Sequence, residues 1–386
     1  MMQDDGAALR RDATLFDGKR ILVTGGTGSL GKVLVRRLLY GLHGRPESVT
    51  VFSRDEAKHY DMRLLFDRIA AASEDVVYLD HAKTLRFRLG DVRDYTAVQQ
   101  ALAGADIVFS AAALKQVPNC EYFPSEAIAT NVGGALNITR AIAAQRLPVE
   151  AVIGISTDKA CHPVNVMGMT KAMQERVLIS ANLVSPATRM ICARYGNVLA
   201  SRGSVVPLFH HQIRSGGPVT ITTSEMTRYF LSLEQAVDTV VDAYRIGAAG
   251  DIIIPRVPAS GIRMMAECLI GDRDIEIREI GIRPGEKIHE ILIADDEAER
   301  TVERENYYAI RPSLPEFSNG APIEPVLQAE YSSRDHIMSR DQLMAMLRFN
   351  RLRIEDEPDF STMFGSRSFP TPVPSGAART AAPLPS

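Results

Sequence analysis

Short apolar runs alternate with helical patterns of apolar and polar residues along the first half of the chain. The runs are rich in isoleucine, valine and leucine, which is typical of strands buried on both faces of a parallel sheet. The carboxyl ends of such strands meet at one crevice, where ligands bind. The predicted strands are Arg20–Thr24, Ser48–Phe52, Leu85–Leu89, Asp106–Ser110, Ala151–Ile155 and Thr188–Arg194. The predicted helices are Val33–Tyr40, Ala127–Ala143 and Val166–Leu183.

The pattern changes near residue 200, after which shorter elements predict a smaller lobe. We expect residues 1–200 to form one domain and residues 201–350 to form the smaller lobe, which includes a C-terminal subdomain. The chain can cross between the domain and the lobe. Residues 351–386 turn to proline, alanine, glycine and serine without periodicity, which predicts a disordered tail. The lobe's predicted elements are helices Val205–Ile213 and Leu233–Ile246 and strands Thr220–Thr222, Met226–Phe230, Asp251–Ile254 and Ile275–Ile280.

Composition narrows the class of protein. The 386 residues are 45% hydrophobic and 24% charged, which is ordinary for a soluble globular chain. A net charge of -3 argues against a nucleic-acid surface, and no run approaches the ~20 apolar residues of a membrane span. The opening MMQDDGAALRRD lacks an apolar signal core. We therefore expect a cytoplasmic protein with no nucleic-acid or membrane partner.

The four cysteines are scattered without CxxC spacing. Neither a metal site nor a disulfide framework is indicated, and free thiols suit a reducing cytoplasm.

A glycine-rich turn follows the first strand. In TGGTGSLG, Gly25, Gly28 and Gly31 recur every third residue before an apolar helix. Glycine lets the backbone turn sharply and approach a pyrophosphate, whose charge is stabilised by the free amides and dipole of the helix start. The predicted cofactor-binding residues here are Gly25, Thr27, Gly28, Ser29, Leu30 and Gly31.

The end of the second strand bears on the choice of cofactor. Ser53, Arg54 and Asp55 stand where the adenosine ribose of a dinucleotide lies. An acidic residue bonds a free 2′-hydroxyl, whereas arginine accommodates a 2′-phosphate. With Arg54 and Asp55 adjacent, NADP is favoured over NAD, and NAD stays an alternative.

The stretch from Gly154 to Lys171 carries the candidate chemistry. The strand ending at Ile155 delivers Ser156, Thr157, Asp158 and Lys159 to the crevice. Asn165 can cap the next helix, on which Met167 and Lys171 lie one turn apart on the same face.

STDKA followed by NVMGMTK resembles a known family. A crevice strand followed by a helix with Tyr-x-x-x-Lys is the signature of short-chain dehydrogenases/reductases, and Met167 occupies the tyrosine position here. The fuller string resembles the extended branch that works on nucleotide sugars, specifically the CapD-like UDP-N-acetylglucosamine 4,6-dehydratases of polysaccharide biosynthesis. The resemblance implies an α/β fold, with a Rossmann-type doubly wound parallel sheet that binds NAD(P) and a smaller C-terminal substrate-binding lobe. It also implies a homo-oligomer.

The resemblance assigns further binding residues. Those expected at the cofactor are Asp91, Val92, Ala111, Ala112, Ala113, Lys115, Asn131, Lys171, Tyr195 and Asn197. Those expected at a UDP-sugar substrate are Lys115, Asn197, Arg202, Ser204, Val205, Arg228, Arg283 and Glu286.

The implied reaction is a dehydration in which tightly bound, recycled NADP takes a hydride from carbon 4 and returns it to carbon 6. Lys159 is the expected base at carbon 5, Asp158 the expected acid for the 6-hydroxyl, and Lys171 the nicotinamide-ribose ligand. Methionine has no proton to exchange, so Thr157, Asp158 or a water held by Lys171 must replace the tyrosine. The alternatives are a 4-epimerase of the same fold and a catalytically silent NADP-binding sensor.

Overall fold

The predicted alternation of strands and helices builds one large sheet. A computed structural model describes residues 13–72, 81–199, 204–317 and 324–358 of the chain. Its strands are β1 (Arg20–Thr24), β2 (Ser48–Ser53), β3 (Leu85–Leu89), β4 (Ile107–Ser110), β5 (Ala151–Thr157), β6 (Arg189–Tyr195), β7 (Asn197–Val198), β8 (Val219–Ile221), β9 (Thr227–Leu231), β10 (Ile252–Pro255), β11 (Ala259–Gly261), β12 (Ile277–Glu279), β13 (Ile291–Ile293), β14 (Thr301–Arg304), β15 (Tyr307–Ile310) and β16 (Tyr331–Ser332).

Nine of these strands pair in the order β14-β15-β10-β6-β5-β4-β1-β2-β3. Strands β1 to β6 and β10 run parallel, and β15 is antiparallel to both β10 and β14. The order β3-β2-β1-β4-β5-β6 is that of a doubly wound nucleotide-binding sheet, whose strand order reverses between β1 and β4. The predicted fold class is therefore confirmed, and the ligand crevice lies at the carboxyl ends of these strands.

Helices cover both faces of the sheet, and most predicted elements lie within two residues of their predicted bounds. The helices are α1 (Ser29–Leu39), α2 (Glu56–Ala72), α3 (His81–Thr84), α4 (Tyr95–Leu102), α5 (Val117–Tyr122), α6 (Pro124–Ala127), α7 (Gly133–Gln145), α8 (Val166–Val184), α9 (Val205–Arg214), α10 (Leu233–Ile246), α11 (Ile262–Ile270), α12 (Asp295–Ala298) and α13 (Arg340–Phe349).

Two helix predictions need correction. Helix α1 begins at Ser29 and not at Val33, because the last residues of the glycine turn form its first helical turn. The predicted helix Ala127–Ala143 is divided by a π-helical turn over Ile128–Val132. Such single π turns occur often at functional sites, and this one contains the buried Asn131.

The smaller lobe has a core of its own, but it is not a continuous stretch of chain. The side chains of Phe209, Phe230 and Leu343 are fully buried in this second core. After helix α9 and strands β8 and β9, the chain returns to the large sheet as α10 and β10, and later as β14 and β15. The expected crossing between lobes occurs more than once.

The predicted start of the tail at residue 351 is wrong. Leu352 is 2% exposed within the second core, and its carbonyl lies 2.7 Å from His210 Nε2. Arg273 forms a 2.7 Å ion pair with Glu355. Apolar burial therefore continues past the predicted boundary, whereas residues 359–386 lie outside the described part of the chain.

The described residues contain no disulfide between their cysteines. Cys120, Cys161, Cys192 and Cys268 are all buried free thiols. Within the described ranges, no helix is both long enough and apolar enough to cross a membrane.

Several apolar side chains remain exposed on α7 and α8. Leu136, Met169 and Met173 are each about half exposed. The homo-oligomer expected from the family resemblance stays a prediction.

A fully buried arginine on β6 connects the large sheet to helices α8 and α12. Arg194 on β6 is 1% exposed and donates through Nε and Nη2 to both oxygens of Glu175 on α8, at 2.9 and 2.7 Å. Its Nη1 and Nη2 donate to both oxygens of Glu297 on α12, at 2.6 and 2.9 Å, and Nη1 also reaches the carbonyl of Leu292. Burial disfavours the Glu297 carboxylate, but Arg194 outweighs it and lowers the pKa of Glu297.

Replacing this arginine should destabilise the whole fold. Arg194→Ala leaves two carboxylates buried without a counter-charge, and we expect a loss of about 3–5 kcal/mol in the free energy of unfolding. Urea unfolding followed by circular dichroism measures it. Arg256→Ala, which breaks an exposed ion pair with Glu303, is the matched control and should stay near the parental value. Equal, small losses in both variants would contradict a structural role for the buried network.

Candidate active site

The glycine turn leaves backbone donors at the start of α1. Gly25 has φ +67°, and a Cβ there would lie 2.7 Å from the backbone of Ala112. No side chain caps α1, because its N-cap residue is Gly28. The first amides of a helix have no intrahelical carbonyl to bond, and the helix dipole favours an anion in front of them. The predicted pyrophosphate residues Ser29, Leu30 and Gly31 form this first turn.

The end of β2 leaves one positively charged side chain accessible. Ser53 Oγ lies 2.7 Å from His59 Nε2 and 3.3 Å from Thr27 Oγ1. Arg54 is about half exposed, and its nearest anion is Asp91, 3.7 Å away.

The neighbouring acid is already engaged. Asp55 accepts a hydrogen bond from the Lys58 amide at 3.1 Å and forms an ion pair with Lys58 Nζ at 2.5 Å. The guanidinium of Arg54 is therefore the more accessible of the two charges.

The ends of β3 and β4 form the next part of the crevice. The Asp91 carboxylate accepts three hydrogen bonds from Arg93, at 2.7 to 3.0 Å, which fix its orientation. Val92 is buried close to Gly134, where any side chain would meet it. After β4 the residues predicted to flank the cofactor have small side chains or are exposed: Ala111, Ala112, Ala113 and Lys115.

Asn131 fixes the loop that follows β4. Its side-chain oxygen accepts from the Leu114 amide at 2.8 Å, and its nitrogen donates to the Leu114 carbonyl at 3.0 Å. The same nitrogen donates to Thr170 Oγ1 on α8 at 2.9 Å. Asn131 thus connects this loop to helix α8 through backbone and side-chain bonds.

Strand β5 extends to Thr157, so the next two residues emerge directly at the crevice. Asp158 begins a short 3₁₀ turn over Asp158–Ala160 and is 1% exposed, whereas the Lys159 side chain is 24% exposed. Thr157 Oγ1 donates to Asp158 Oδ1 at 2.8 Å, and Lys159 Nζ donates to the same oxygen at 3.0 Å. Three candidate residues therefore form one hydrogen-bonded cluster.

A fourth residue, Glu290, completes the cluster, and it was not among the residues predicted from the sequence. Glu290 Oε1 lies 3.1 Å from Lys159 Nζ. A charged residue directly before the apolar run Ile291–Ile293 was the available signal. Spacing alone does not show that the run passes beside the catalytic loop.

Burial and charged neighbours determine the pKa values of Asp158 and Lys159. Burial, helped by the charge of Glu290, raises the pKa of Asp158. Burial works against a charged Lys159, but Asp158 and Glu290 outweigh it and raise the pKa of Lys159. Its two carboxylate neighbours hold the proton on the amine.

Met167 and Lys171 lie one turn apart on α8, as predicted. Asn165 caps this helix, because its side chain accepts from the Gly168 amide at 2.8 Å. Lys171 is buried and donates to the Ile155 carbonyl and to Gln174 Oε1. Burial lowers the pKa of Lys171 to about 8. Met167 is buried against Cys120 and Ala127, and its side chain offers no exchangeable proton.

The crevice also contains polar atoms without partners. Asp158 Oδ2, Asn197 Oδ1 and Ser204 Oγ are buried and have no hydrogen-bond partner among the described residues. Ser204 stands at the N-cap of α9, next to Val205, but its hydroxyl makes no capping bond. Buried polar groups without partners are rare in proteins, and they indicate a ligand or water.

The other residues predicted to bind the cofactor or the substrate lie in varied surroundings. Tyr195 is buried at the end of β6. Arg228 donates to the carbonyls of Thr227, Lys287 and Ile288 at 2.7 to 3.0 Å, which directs its guanidinium into the protein. Arg283 is exposed, and Glu286 lies on the same turn, where its Oε2 is 3.4 Å from Thr222 Oγ1. Arg202 lies outside the described residues.

Three features together define an extended short-chain dehydrogenase/reductase. They are the doubly wound sheet, the glycine turn after β1, and the hydrogen-bonded pair of Asp158 and Lys159 between β5 and α8. Residues 21–312 match the family described as polysaccharide biosynthesis protein, and the chain belongs to that family. This confirms the resemblance to enzymes of this fold that act on nucleotide sugars.

Individual relatives differ in the reaction that their names give. The UDP-glucose 4-epimerase of Rickettsia conorii is 44% identical over 301 residues, which are 77% of this chain and 84% of that protein. The X-ray structure of Pen from Bacillus thuringiensis is 32% identical, with a TM-score of 0.76 over 88% of this chain and 100% of that chain. A dTDP-glucose 4,6-dehydratase from Streptomyces venezuelae, solved with NAD bound, shares the fold at 20% identity and a TM-score of 0.59, over 70% of this chain and 86% of that chain.

Proposed function

We propose that this chain dehydrates UDP-N-acetylglucosamine to a UDP-4-keto-6-deoxy-N-acetylhexosamine. The observation that carries the proposal is the buried acid beside a partly exposed amine, Asp158 and Lys159, at the carboxyl end of β5. Both a dehydratase and a 4-epimerase must first oxidise carbon 4. A dehydratase alone also needs a base for carbon 5 and an acid for the 6-hydroxyl. The cluster has one group of each kind.

The residues at the glycine turn fit a dinucleotide. Uncapped amides at the start of α1 suit its pyrophosphate, and Arg54 suits a 2′-phosphate because Asp55 is engaged by Lys58. We therefore infer NADP and not NAD. When bound, the nicotinamide accepts a hydride from carbon 4 and returns it to carbon 6.

Lys159 and Asp158 are each competent in their neutral forms. The Lys159 side chain is 24% exposed, so its ammonium can release a proton to solvent, while Asp158 takes up the proton that the 4-hydroxyl loses on oxidation. Closure of the site around the substrate removes water and favours both neutral forms. The amine then removes the proton from carbon 5, and the acid protonates the 6-hydroxyl, which leaves as water. The ammonium of Lys159 finally returns its proton to carbon 5 as the hydride reaches carbon 6.

Thr157 is the group that best replaces the missing tyrosine. Its hydroxyl donates to Asp158 Oδ1 at 2.8 Å, so a proton lost from the 4-hydroxyl can reach Asp158 through Thr157. Asp158 then gives this proton to the leaving 6-hydroxyl, and the net change is loss of one water. Met167 contributes only packing. The cation of Lys171 stabilises negative charge on the oxygen at carbon 4.

A 4-epimerase is the second candidate, and the names of the Rickettsia relatives favour it. It would use the same oxidation of carbon 4 and return the hydride to the other face of the sugar. Such a reaction leaves Lys159 and Asp158 without acid-base work. The mass of the product separates the two reactions, because epimerisation changes no mass and dehydration removes one water.

The first functional prediction concerns the reaction of the parental protein and of two variants. Incubation with UDP-N-acetylglucosamine should give a product lighter by one water in mass spectrometry. Lys159→Ala should reduce this product and the exchange of solvent deuterium into carbon 5 by roughly 10²- to 10⁴-fold. Asp158→Asn should retain some exchange at carbon 5 while elimination stalls.

Lys115→Ala is a useful control, because Lys115 is placed at the substrate and not among the acid-base groups. It should weaken the apparent affinity for substrate and leave the ratio of exchange to elimination unchanged. A Lys159→Ala protein that exchanges carbon 5 deuterium at the parental rate would show that Lys159 is not the base. An isomer of unchanged mass from the parental protein would establish the epimerase.

The second functional prediction concerns the cofactor. Arg54→Ala should weaken binding of NADP by roughly 10- to 100-fold, because a charge-assisted hydrogen bond to the 2′-phosphate is lost. Binding of NAD should hardly change, since NAD lacks that phosphate. Fluorescence titration with both reduced cofactors measures this, and Arg348→Ala, which removes an exposed arginine on α13 of the smaller lobe, is the control. Equal losses for the two cofactors would show that Arg54 does not contact the 2′-phosphate.

A further inference from the structure

Glu290 occupies an unusual position for a carboxylate. It is 2% exposed, directly before β13, and its Oε1 lies 3.1 Å from Lys159 Nζ and 3.6 Å from Arg228 Nε. Its Oε2 is buried and has no hydrogen-bond partner among the described residues. The backbone holds the residue firmly, because the Glu290 amide donates to Ser333 Oγ and the Ser333 amide donates to the Glu290 carbonyl.

The segment around Glu290 packs along the loop between β5 and α8. Asn165 Nδ2 donates to the Gly285 carbonyl at 2.8 Å, and Lys287 Nζ donates to the Cys161 carbonyl at 2.5 Å. Glu290 continues this line of contacts at Lys159. A segment distant in sequence therefore places a fixed carboxylate against the amine, in addition to that of its covalent neighbour Asp158.

A carboxylate beside a base can do two things in catalysis. It orients the base, and it stabilises the cation that forms when the base accepts a proton, as the aspartate of a Ser-His-Asp triad does for its histidine. Arg228, Asn165 and Lys287 fix the segment without touching the amine of Lys159. Glu290 is the residue of this segment that contacts it.

We propose that Glu290 is a positioning residue for Lys159, which orients the amine and stabilises the ammonium formed when carbon 5 loses its proton. This inference rests on the proposed dehydration. Glu290 touches neither substrate nor cofactor in this role and acts through Lys159.

The direction of its effect on Lys159 follows from the surrounding charges. Asp158 and Glu290 favour the ammonium of Lys159, whereas Arg228 opposes it. Lys159, Arg228 and Lys287 together lower the pKa of Glu290, so Glu290 carries its negative charge. Replacing the Glu290 carboxylate by a neutral amide removes one favourable charge. The Lys159 amine should then lose its proton at a lower pH, by about one unit or more.

The first measurement is the reactivity of Lys159, which does not depend on turnover. Acetic anhydride labels neutral amines, and peptide mass spectrometry across a pH series gives the midpoint for Lys159. We expect the midpoint to fall in Glu290→Gln and to fall less in Glu290→Asp, which keeps the charge but retracts it by one methylene. Glu290→Asp retains a counter-charge for Arg228, so it serves if Glu290→Gln does not fold. Glu303→Gln, an exposed carboxylate, should leave the midpoint unchanged.

The second measurement is turnover of UDP-N-acetylglucosamine with solvent deuterium exchange at carbon 5. In Glu290→Gln we expect kcat to fall by roughly 10- to 100-fold with KM nearly constant, and the rising limb of the pH profile to move to lower pH. Glu290→Asp should recover part of the rate and move the limb back toward the parental position. A merely structural role would lower the amount of active protein without moving this limb.

The outcomes separate the two proposals. A parental protein that dehydrates the substrate, with an unshifted Lys159 midpoint in both Glu290 variants, overturns the positioning role and leaves the dehydratase intact. A parental protein that releases no dehydrated product and exchanges no deuterium overturns both, even if the midpoint shifts. A shifted midpoint together with the fall in kcat supports the role of Glu290.

Discussion

The fully buried guanidinium of Arg194 is the interaction on which the arrangement of the active site depends. A charge so far from water is tolerated only because all of its donors are satisfied, by Glu175, by Glu297 and by the Leu292 carbonyl. These partners come from helix α8, from helix α12 and from strand β13. One side chain of the sheet thereby fixes the helix that carries Lys171 relative to the segment that carries Glu290.

This arrangement explains why the acid-base cluster has parts from distant regions of the sequence. Thr157, Asp158 and Lys159 leave the sheet together, but the carboxylate facing Lys159 arrives 131 residues later in the sequence. Two carboxylates around one amine raise the proton affinity of the amine, while burial raises that of Asp158. The same charges that hold the resting state together can therefore store the protons that the proposed elimination needs.

Local sequence patterns predicted most of the large sheet because each buried strand is an uninterrupted apolar run, and because the glycine turn has a sterically defined spacing. They predicted Asp158, Lys159 and Lys171 for the same reason, since these residues lie within one strand-turn-helix unit. Glu290 and the π turn at Asn131 were missed. The contact of Glu290 with Lys159 depends on tertiary packing between lobes, and a π turn has the same apolar pattern as an ordinary helix.

The repeated crossing of the chain between the lobes has a consequence for how such enzymes change specificity. Strand β10 and the hairpin of β14 and β15 are separated from β6 and from each other along the chain by pieces of the smaller lobe. The smaller lobe therefore cannot be exchanged with that of a relative as one cassette. A chimera with the smaller lobe of a relative must exchange several separate segments at once. It must also preserve the junctions at which each segment rejoins the sheet.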